Sequence, residues 1–325
     1  MRVHVQLPPD DQPGFTQEAW DAAAARAGAV GSDHRVSIGR DDAAFAAAIG
    51  ETEALITGAG TLRRHLPLAA PALRLIFLAH AGVDGLAPFD WLPPGVVLLN
   101  NSGTHADKAG EYVAMAVLML ANHVPFFVSR QRAGVWHSRP ASVAAGRRAT
   151  VVGLGSLGGG GARRLRLLGL RVTGVRTRVE PHPDCDRVVA ADGLDEVLPE
   201  TEFLVLACPL TERTRGLLDR RRIGLLPPGA GVVNVGRGGL VEQDALLDAL
   251  DAGHLGGAVL DVATPEPVPP GHRLWRTPNL VVTPHMSSDD PRTYAARSLD
   301  IFFANLAAHA QGRPAPNRVD PARGY

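Results

Sequence analysis

The sequence predicts an α/β protein of two domains, each built on a parallel sheet. Three observations lead there. At 325 residues the chain exceeds what one hydrophobic core usually organises. Short apolar runs alternate with stretches of helical period, and strands separated by helices pair in parallel. Near the middle, a glycine-rich turn sits between an apolar run and a helix pattern, the arrangement in which backbone N–H groups approach an anion.

Residues 3–7 alternate like a first strand, and apolar runs at 54–57, 73–78 and 96–99 follow with helix patterns between them. Residues 1–101 thus read as one small α/β domain. Ligands of such sheets lie beyond the carboxyl ends of the strands. Two loops fall there, Gly58-Ala59-Gly60 and His80-Ala81-Gly82-Val83-Asp84. Gly82 either lets N–H groups face an anion or makes an ordinary turn. Asn100-Asn101-Ser102-Gly103 marks the crossing into the second domain. Residues 111–121 then form a mostly apolar helix suited to burial at a domain or subunit interface.

The strongest signal is residues 149–178. Ala149-Thr150-Val151-Val152 reads as a buried strand, followed at once by Gly153-Leu154-Gly155-Ser156-Leu157-Gly158. An amphipathic helix runs through Leu165, Leu167 and Leu168, Gly169 closes it, and 170–175 is a second strand. G-x-G-x-x-G in this setting is a dinucleotide fingerprint: a tight turn, a close approach to the pyrophosphate, and close helix–strand packing. Gly153, Gly155, Ser156, Leu157 and Gly158 are therefore candidate cofactor residues. Gly159, Gly160 and Gly161 are odd in a first helical turn, where each costs about 1 kcal/mol relative to Ala. A frayed start and a close approach to the cofactor are both open. Where an NAD enzyme places Asp or Glu, this chain has Arg176, then Thr177 and Arg178. A guanidinium cannot accept from a ribose hydroxyl but matches a 2′-phosphate bidentately. NADP(H) is the preferred cofactor, with NAD(H) the alternative; the competing reading of Arg176 is a solvated surface arginine.

Formal net charge is zero, so no global field favours nucleic acid or an anionic membrane. Lys108 is the only lysine, and the two cysteines, Cys185 and Cys208, lack metal or C-x-x-C spacing. No metal is expected. Residues 1–11 carry no signal pattern, and the longest apolar run, 112–121, is too short to span a bilayer. The expectation is a soluble, cytoplasmic protein.

Further strands are expected at 203–207, 231–235, 258–260 and 280–282, with helices at 242–252 and 300–311 and an irregular tail over 312–325. Polar groups gather after the late strands: Arg237 among glycines, Glu266 between Pro265 and Pro267, and His285 after Thr283-Pro284. Reducing a 2-oxo acid needs a cation on the substrate carboxylate, a proton donor at the carbonyl oxygen, and a carboxylate behind that donor. Arg, His and Glu supply these, although each alone is equally a structural or solvated residue.

With these segments in view, the sequence resembles the D-isomer-specific 2-hydroxyacid dehydrogenase family. The likeness covers nearly the whole chain and rests on 103–111, 153–158, Cys208-Pro209-Leu210-Thr211 with Thr214, 234–250, 257–267 and Thr283-Pro284-His285. It implies two Rossmann-like doubly wound parallel-sheet domains with a cleft between them. The substrate-binding, flavodoxin-like domain would be 1–101, completed by 289–325; the NAD(P)-binding domain would be 102–288. It implies that Arg237 binds substrate, that His285 is the acid/base and that Glu266 is the carboxylate partner of His285. Ala81-Gly82-Val83 would bind the substrate carboxylate, and Asp261 the nicotinamide carboxamide. Cys208 and Pro209 would line the adenosine side, with Thr214 and Val235 also at the cofactor. A homodimer paired through the cofactor domain is implied as well.

Arg176 in place of an acidic residue resembles the NADP-using glyoxylate/hydroxypyruvate reductase branch. Ser288 stands where glycine often follows the histidine, and Gly110 where alanine is usual. The leading reading is an NADPH-dependent reductase of small 2-oxo acids giving D-2-hydroxy acids, with no nucleic-acid or membrane partner. One alternative keeps the chemistry but changes the substrate to a phosphonate-bearing 2-oxo acid or phosphite, using Arg63, Arg64, Arg130, Arg132 or Arg139. The other is a non-catalytic nucleotide-sensing, corepressor-like protein. His80, His105 and Trp136 are left between substrate contact, partner contact and packing.

Overall fold

The computed structural model describes residues 1–8 and 14–324. The chain divides into two units, Met1–Thr104 with Asp290–Tyr325, and His105–Asp289. Tyr325, the last residue of the irregular tail, lies outside the described residues, as do 9–13.

The first unit contains β1 (Arg2–Gln6), α1 (Gln17–Ala27), β2 (Arg35–Gly39), α2 (Asp42–Ile49), β3 (Ala54–Thr57), α3 (Ala59–Arg64), β4 (Leu75–Leu78) and β5 (Val97–Leu99). Its five strands are parallel in the order β2-β1-β3-β4-β5. β3 and β4 are wholly buried, as unbroken apolar runs covered on both faces should be. Thr16 and Asp41 start α1 and α2 by accepting the Ala19 and Ala44 N–H groups at 3.1 and 2.8 Å. Gly58 begins α3 rather than a free loop. On β1 the imidazole of His4 is buried, with Nδ1 2.8 Å from Ser37 Oγ and Nε2 2.9 Å from Gln6 Oε1. Burial pulls its pKa below 6.5, against the opposing hydrogen bonds to Gln6 and Ser37.

The end of the chain completes this unit. The last helix runs from Tyr294 to Ala310 and starts six residues earlier than its apolar pattern suggests. Ser298 and Asn305 break that pattern yet are buried. Ser298 accepts from Asn101 Nδ2 at 2.7 Å, and Asn305 donates to Asn317 Oδ1 at 2.9 Å. Phe302 and Phe303 pack against Trp20 in tilted ring pairs, with centroids 5.9 and 4.9 Å away. The tail returns to bridge Leu99 antiparallel through Arg318.

The second unit opens with α4 (Ala106–Ala121), which begins before residue 111, and α5 (Val124–Arg132). It continues with β6 (Arg148–Val152), α6 (Ser156–Leu167), β7 (Arg171–Val175), β8 (Arg187–Val189), α7 (Leu194–Val197) and β9 (Phe203–Leu206). It closes with α8 (Arg220–Leu225), β10 (Gly231–Asn234), α9 (Gln243–Asp251), β11 (Gly257–Leu260) and β12 (Leu280–Val282), which makes the Tyr294–Ala310 helix α10. Seven parallel strands lie in the order β12-β11-β10-β9-β6-β7-β8. The order reverses between β6 and β9, and ligands of such sheets lie at that switch, beyond the carboxyl ends. Both domains are thus parallel-sheet α/β units, as expected. Among the described residues no single helix is long and apolar enough to cross a membrane.

Helix packing explains two of the odd glycines, Gly160 and Gly161. A Cβ on Gly160 would lie 2.1 Å from the Ala106 carbonyl oxygen, and one on Gly110 would lie 2.7 Å from the Gly160 oxygen. α4 and α6 therefore cross with their backbones in contact, which only glycine permits there. Gly161 faces Val113 at 3.2 Å, whereas Gly159 has its nearest neighbour, His182, at 3.5 Å. The glycine at position 110 and the glycine run in α6 are one feature.

Candidate active site

The turn after β6 is shaped for close backbone approach. Gly153 has φ +92°, and a Cβ there would sit 2.6 Å from Cys208 Cα, so the loops after β6 and β9 touch across the switch point. Gly158 lies against the Gly153 oxygen, where a Cβ would meet it at 1.8 Å. Gly155 has nothing within 4 Å on its side-chain side. No side chain caps the first turn of α6. Ser156 Oγ is buried without a partner, and a cavity of about 280 Å³ opens beside it, lined by Gly155, Ser156, Gly159, Arg163 and His182. Uncapped N–H groups, an unpaired hydroxyl and an open glycine fit the pyrophosphate of a dinucleotide. Leu157 is partly buried in the first turn of α6.

Arg176 directly follows β7, partly buried, with Nη2 3.8 Å from Glu180 Oε2. Thr177 and Arg178 are exposed beside it. After β9, Thr214 turns its hydroxyl inward: it donates to the Pro209 oxygen at 2.7 Å and accepts the Thr211 N–H at 2.8 Å, fixing the Cys208-Pro209 loop. Burial pushes the Cys208 thiol up to about 11, which leaves it protonated at neutral pH. Val235 is buried in the core at the end of β10.

Arg237 follows in the β10 loop. Asn234 Nδ2 donates to its carbonyl at 2.9 Å, and Arg237 Nη1 donates to the Gly236 oxygen at 2.8 Å. Gly238 presses this loop onto the one after β11, since a Cβ there would lie 2.0 Å from the Ala263 oxygen. That second loop carries Glu266. Its Oε1 accepts the Ala263 N–H at 2.9 Å, and its Oε2 lies 2.8 Å from His285 Nδ1. The pair is partly exposed, at 45% for the His285 side chain and 36% for that of Glu266, so Nε2 is the ring nitrogen left for a substrate.

One supporting residue carries no sequence signature. Gln243, the first residue of α9, clamps Thr264 by donating Nε2–H to its oxygen at 2.8 Å and accepting its N–H at 3.0 Å. Asp261, expected at a carboxamide, turns its carboxylate to the chain itself. Oδ1 accepts Thr283 Oγ1 at 2.6 Å and Met286 N–H at 3.0 Å, and Oδ2 accepts Ser287 N–H at 2.9 Å. Ala81, Gly82 and Val83 lie in the first unit, in the loop after β4, with Val83 buried. Arg63 there donates to the Gly85 oxygen. Of the residues left open, His80 and His105 both have partners, His105 Nδ1 lying 3.0 Å from the Ser288 oxygen, and Trp136 is fully exposed. Among the described residues no cluster of three His, Cys, Asp or Glu side chains is arranged for a metal.

Residues 114–287 match the family model of the D-isomer specific 2-hydroxyacid dehydrogenase NAD binding domain. Among curated proteins, glyoxylate/hydroxypyruvate reductase A of Salmonella typhi is 30% identical over 264 residues, 79% of this chain and 84% of that one. Among solved structures, a D-isomer specific 2-hydroxyacid dehydrogenase from Xanthobacter autotrophicus Py2, in complex with NADPH and MES, superposes with TM-score 0.82 at 30% identity, covering 99% of each chain. The NADPH-dependent glyoxylate/hydroxypyruvate reductase of Sinorhizobium meliloti, in complex with NADP and sulfate, gives 0.81 at 28% identity, covering 100% of this chain and 99% of that one.

Proposed function

The chain belongs to the D-isomer specific 2-hydroxyacid dehydrogenase family of NAD(P)-dependent oxidoreductases, and on that premise we propose that it reduces small 2-oxo acids of the glyoxylate or hydroxypyruvate kind with NADPH. The single observation that carries the reading is the 2.8 Å contact of His285 Nδ1 with Glu266 Oε2 at the carboxyl ends of the sheet. With the pyrophosphate of NADPH held at the glycine turn, the cofactor would supply the hydride. Glu266 holds the imidazole by Nδ1, so Nε2 delivers the proton to the carbonyl oxygen. Arg237 grips the substrate carboxylate and polarises the carbonyl, and in the first unit Ala81-Gly82-Val83 offers backbone N–H groups suited to a carboxylate. The product is the D-2-hydroxy acid. The second unit exposes Trp136 and Val143, apolar side chains suited to a second copy of the chain.

A spectrophotometric NADPH-oxidation panel over small 2-oxo acids tests the reading. His285→Ala should lower turnover by roughly 10²–10⁴, the usual worth of a general acid, while NADPH binding stays measurable. Nearly unchanged turnover in that variant refutes the assignment. Arg176→Gln removes a charge-assisted contact worth about 1.5–3 kcal/mol, so KM for NADPH should rise roughly ten- to hundredfold with little change for NADH. A wild-type preference for NADH sinks the cofactor assignment. Tight NADPH binding without oxidation of any acid favours a nucleotide sensor instead.

A further inference from the structure

His285 sits on a turn that is held from below by a buried chain of hydroxyls. Its φ of +54° lies in the left-handed region, which side chains larger than hydrogen resist. Three consecutive N–H groups converge on Asp261, which is only 1% exposed: His285 donates to the main-chain oxygen at 2.8 Å, and Met286 and Ser287 to the two carboxylate oxygens. Thr283 also reaches that carboxylate, and a carboxylate accepts, so the Thr283 hydroxyl is the donor. Thr283 Oγ1 then accepts from the Tyr112 hydroxyl, 2.5 Å away on α4. The chain of donors therefore runs one way, from Tyr112 to Thr283 to Asp261.

We propose that Tyr112 is a positioning residue for proton transfer, holding through Thr283 the Asp261 clamp that aims the His285 imidazole at the reacting oxygen. Packing alone does not account for its hydroxyl, because phenylalanine would fill the same space. Burial, with a smaller contribution from the Asp261 charge and against the Thr283 hydrogen bond, pushes the phenol up to about 12. Tyr112 thus stays a neutral donor across the neutral range. The proposal rests on the reading that His285 is the acid.

The test uses Tyr112→Phe, Thr283→Val and Thr283→Ser in the full chain. Stopped-flow single turnovers follow NADPH oxidation in H₂O and D₂O, and fluorescence titration gives the NADPH dissociation constant. Misaim by a fraction of an ångström should slow the Tyr112→Phe and Thr283→Val single turnover about tenfold and enlarge the solvent isotope effect, with NADPH affinity unchanged. Thr283→Ser keeps both hydrogen bonds and should restore wild-type rate and isotope effect. Unchanged rates and isotope effects in the first two variants overturn the proposal. So does a slowing matched by weaker NADPH binding, or one that Thr283→Ser does not repair. Turnover that survives His285→Ala is a different failure, that of the functional reading itself.

Discussion

Two adjacent glycines of α6 should respond to alanine with opposite signs. A Cβ on Gly159 meets His182 and the Leu154 oxygen at ordinary contact distance, so Gly159→Ala gains the helix propensity of alanine, about 1 kcal/mol. A Cβ on Gly160 would lie 2.1 Å from the Ala106 oxygen and 2.9 Å from its carbonyl carbon, and backbone cannot rotate out of the way. Overpacking costs up to about 3 kcal/mol, which outweighs the propensity gain and leaves Gly160→Ala about 2 kcal/mol less stable. For a unit of this size each kcal/mol moves the midpoint by roughly 2–4 °C. Without cofactor, Gly159→Ala should therefore melt about 2–4 °C higher than wild type and Gly160→Ala about 4–8 °C lower. Differential scanning calorimetry reads both. Equal midpoints, or a more stable Gly160→Ala, would refute the backbone contact between α4 and α6.

Other expectations follow from single side chains. The depressed pKa of His4 means that the unfolded chain binds a proton more readily than the folded one. Its contribution is complete above about pH 6.5 and lost as pH falls through that value toward the lower folded pKa. Urea unfolding between pH 7 and 5 should accordingly show a shallower loss of stability in His4→Gln; parallel curves would remove His4 as the cause. Gln243→Ala breaks two hydrogen bonds worth about 0.5–1.5 kcal/mol each and frees the loop that carries Glu266. Its kcat should fall while NADPH affinity holds, and weakened cofactor binding with intact kcat would contradict the clamp's role.

The apolar runs single out ten strands, and the two they omit, β2 and β8, both lie at sheet edges. An edge strand buries less, so residues 35–38 alternate exposed and half-buried instead of forming a solid apolar run. The start of α10 was hidden for another reason: Ser298, a polar residue, faces inward with its hydrogen bonds satisfied. The glycine turn and the Arg237, Glu266 and His285 loops were legible because spacing reports on them directly. Gln243, Tyr112 and the reason for Gly159-Gly160-Gly161 were not. Each depends on what the fold brings against it from a distant part of the chain, and local periodicity carries no trace of that.

The first unit takes its aromatic centre from both ends of the polypeptide, with Trp20 and Phe77 closing on Phe302 and Phe303. During synthesis, therefore, the unit begun first is the one finished last. Residues 105–289 can emerge and fold as a unit while the amino-terminal strands still wait, their apolar side bare, for the helix that closes them. A ribosome stalled a tunnel's length beyond residue 289 should carry a folded second unit tethered to an unfinished first one.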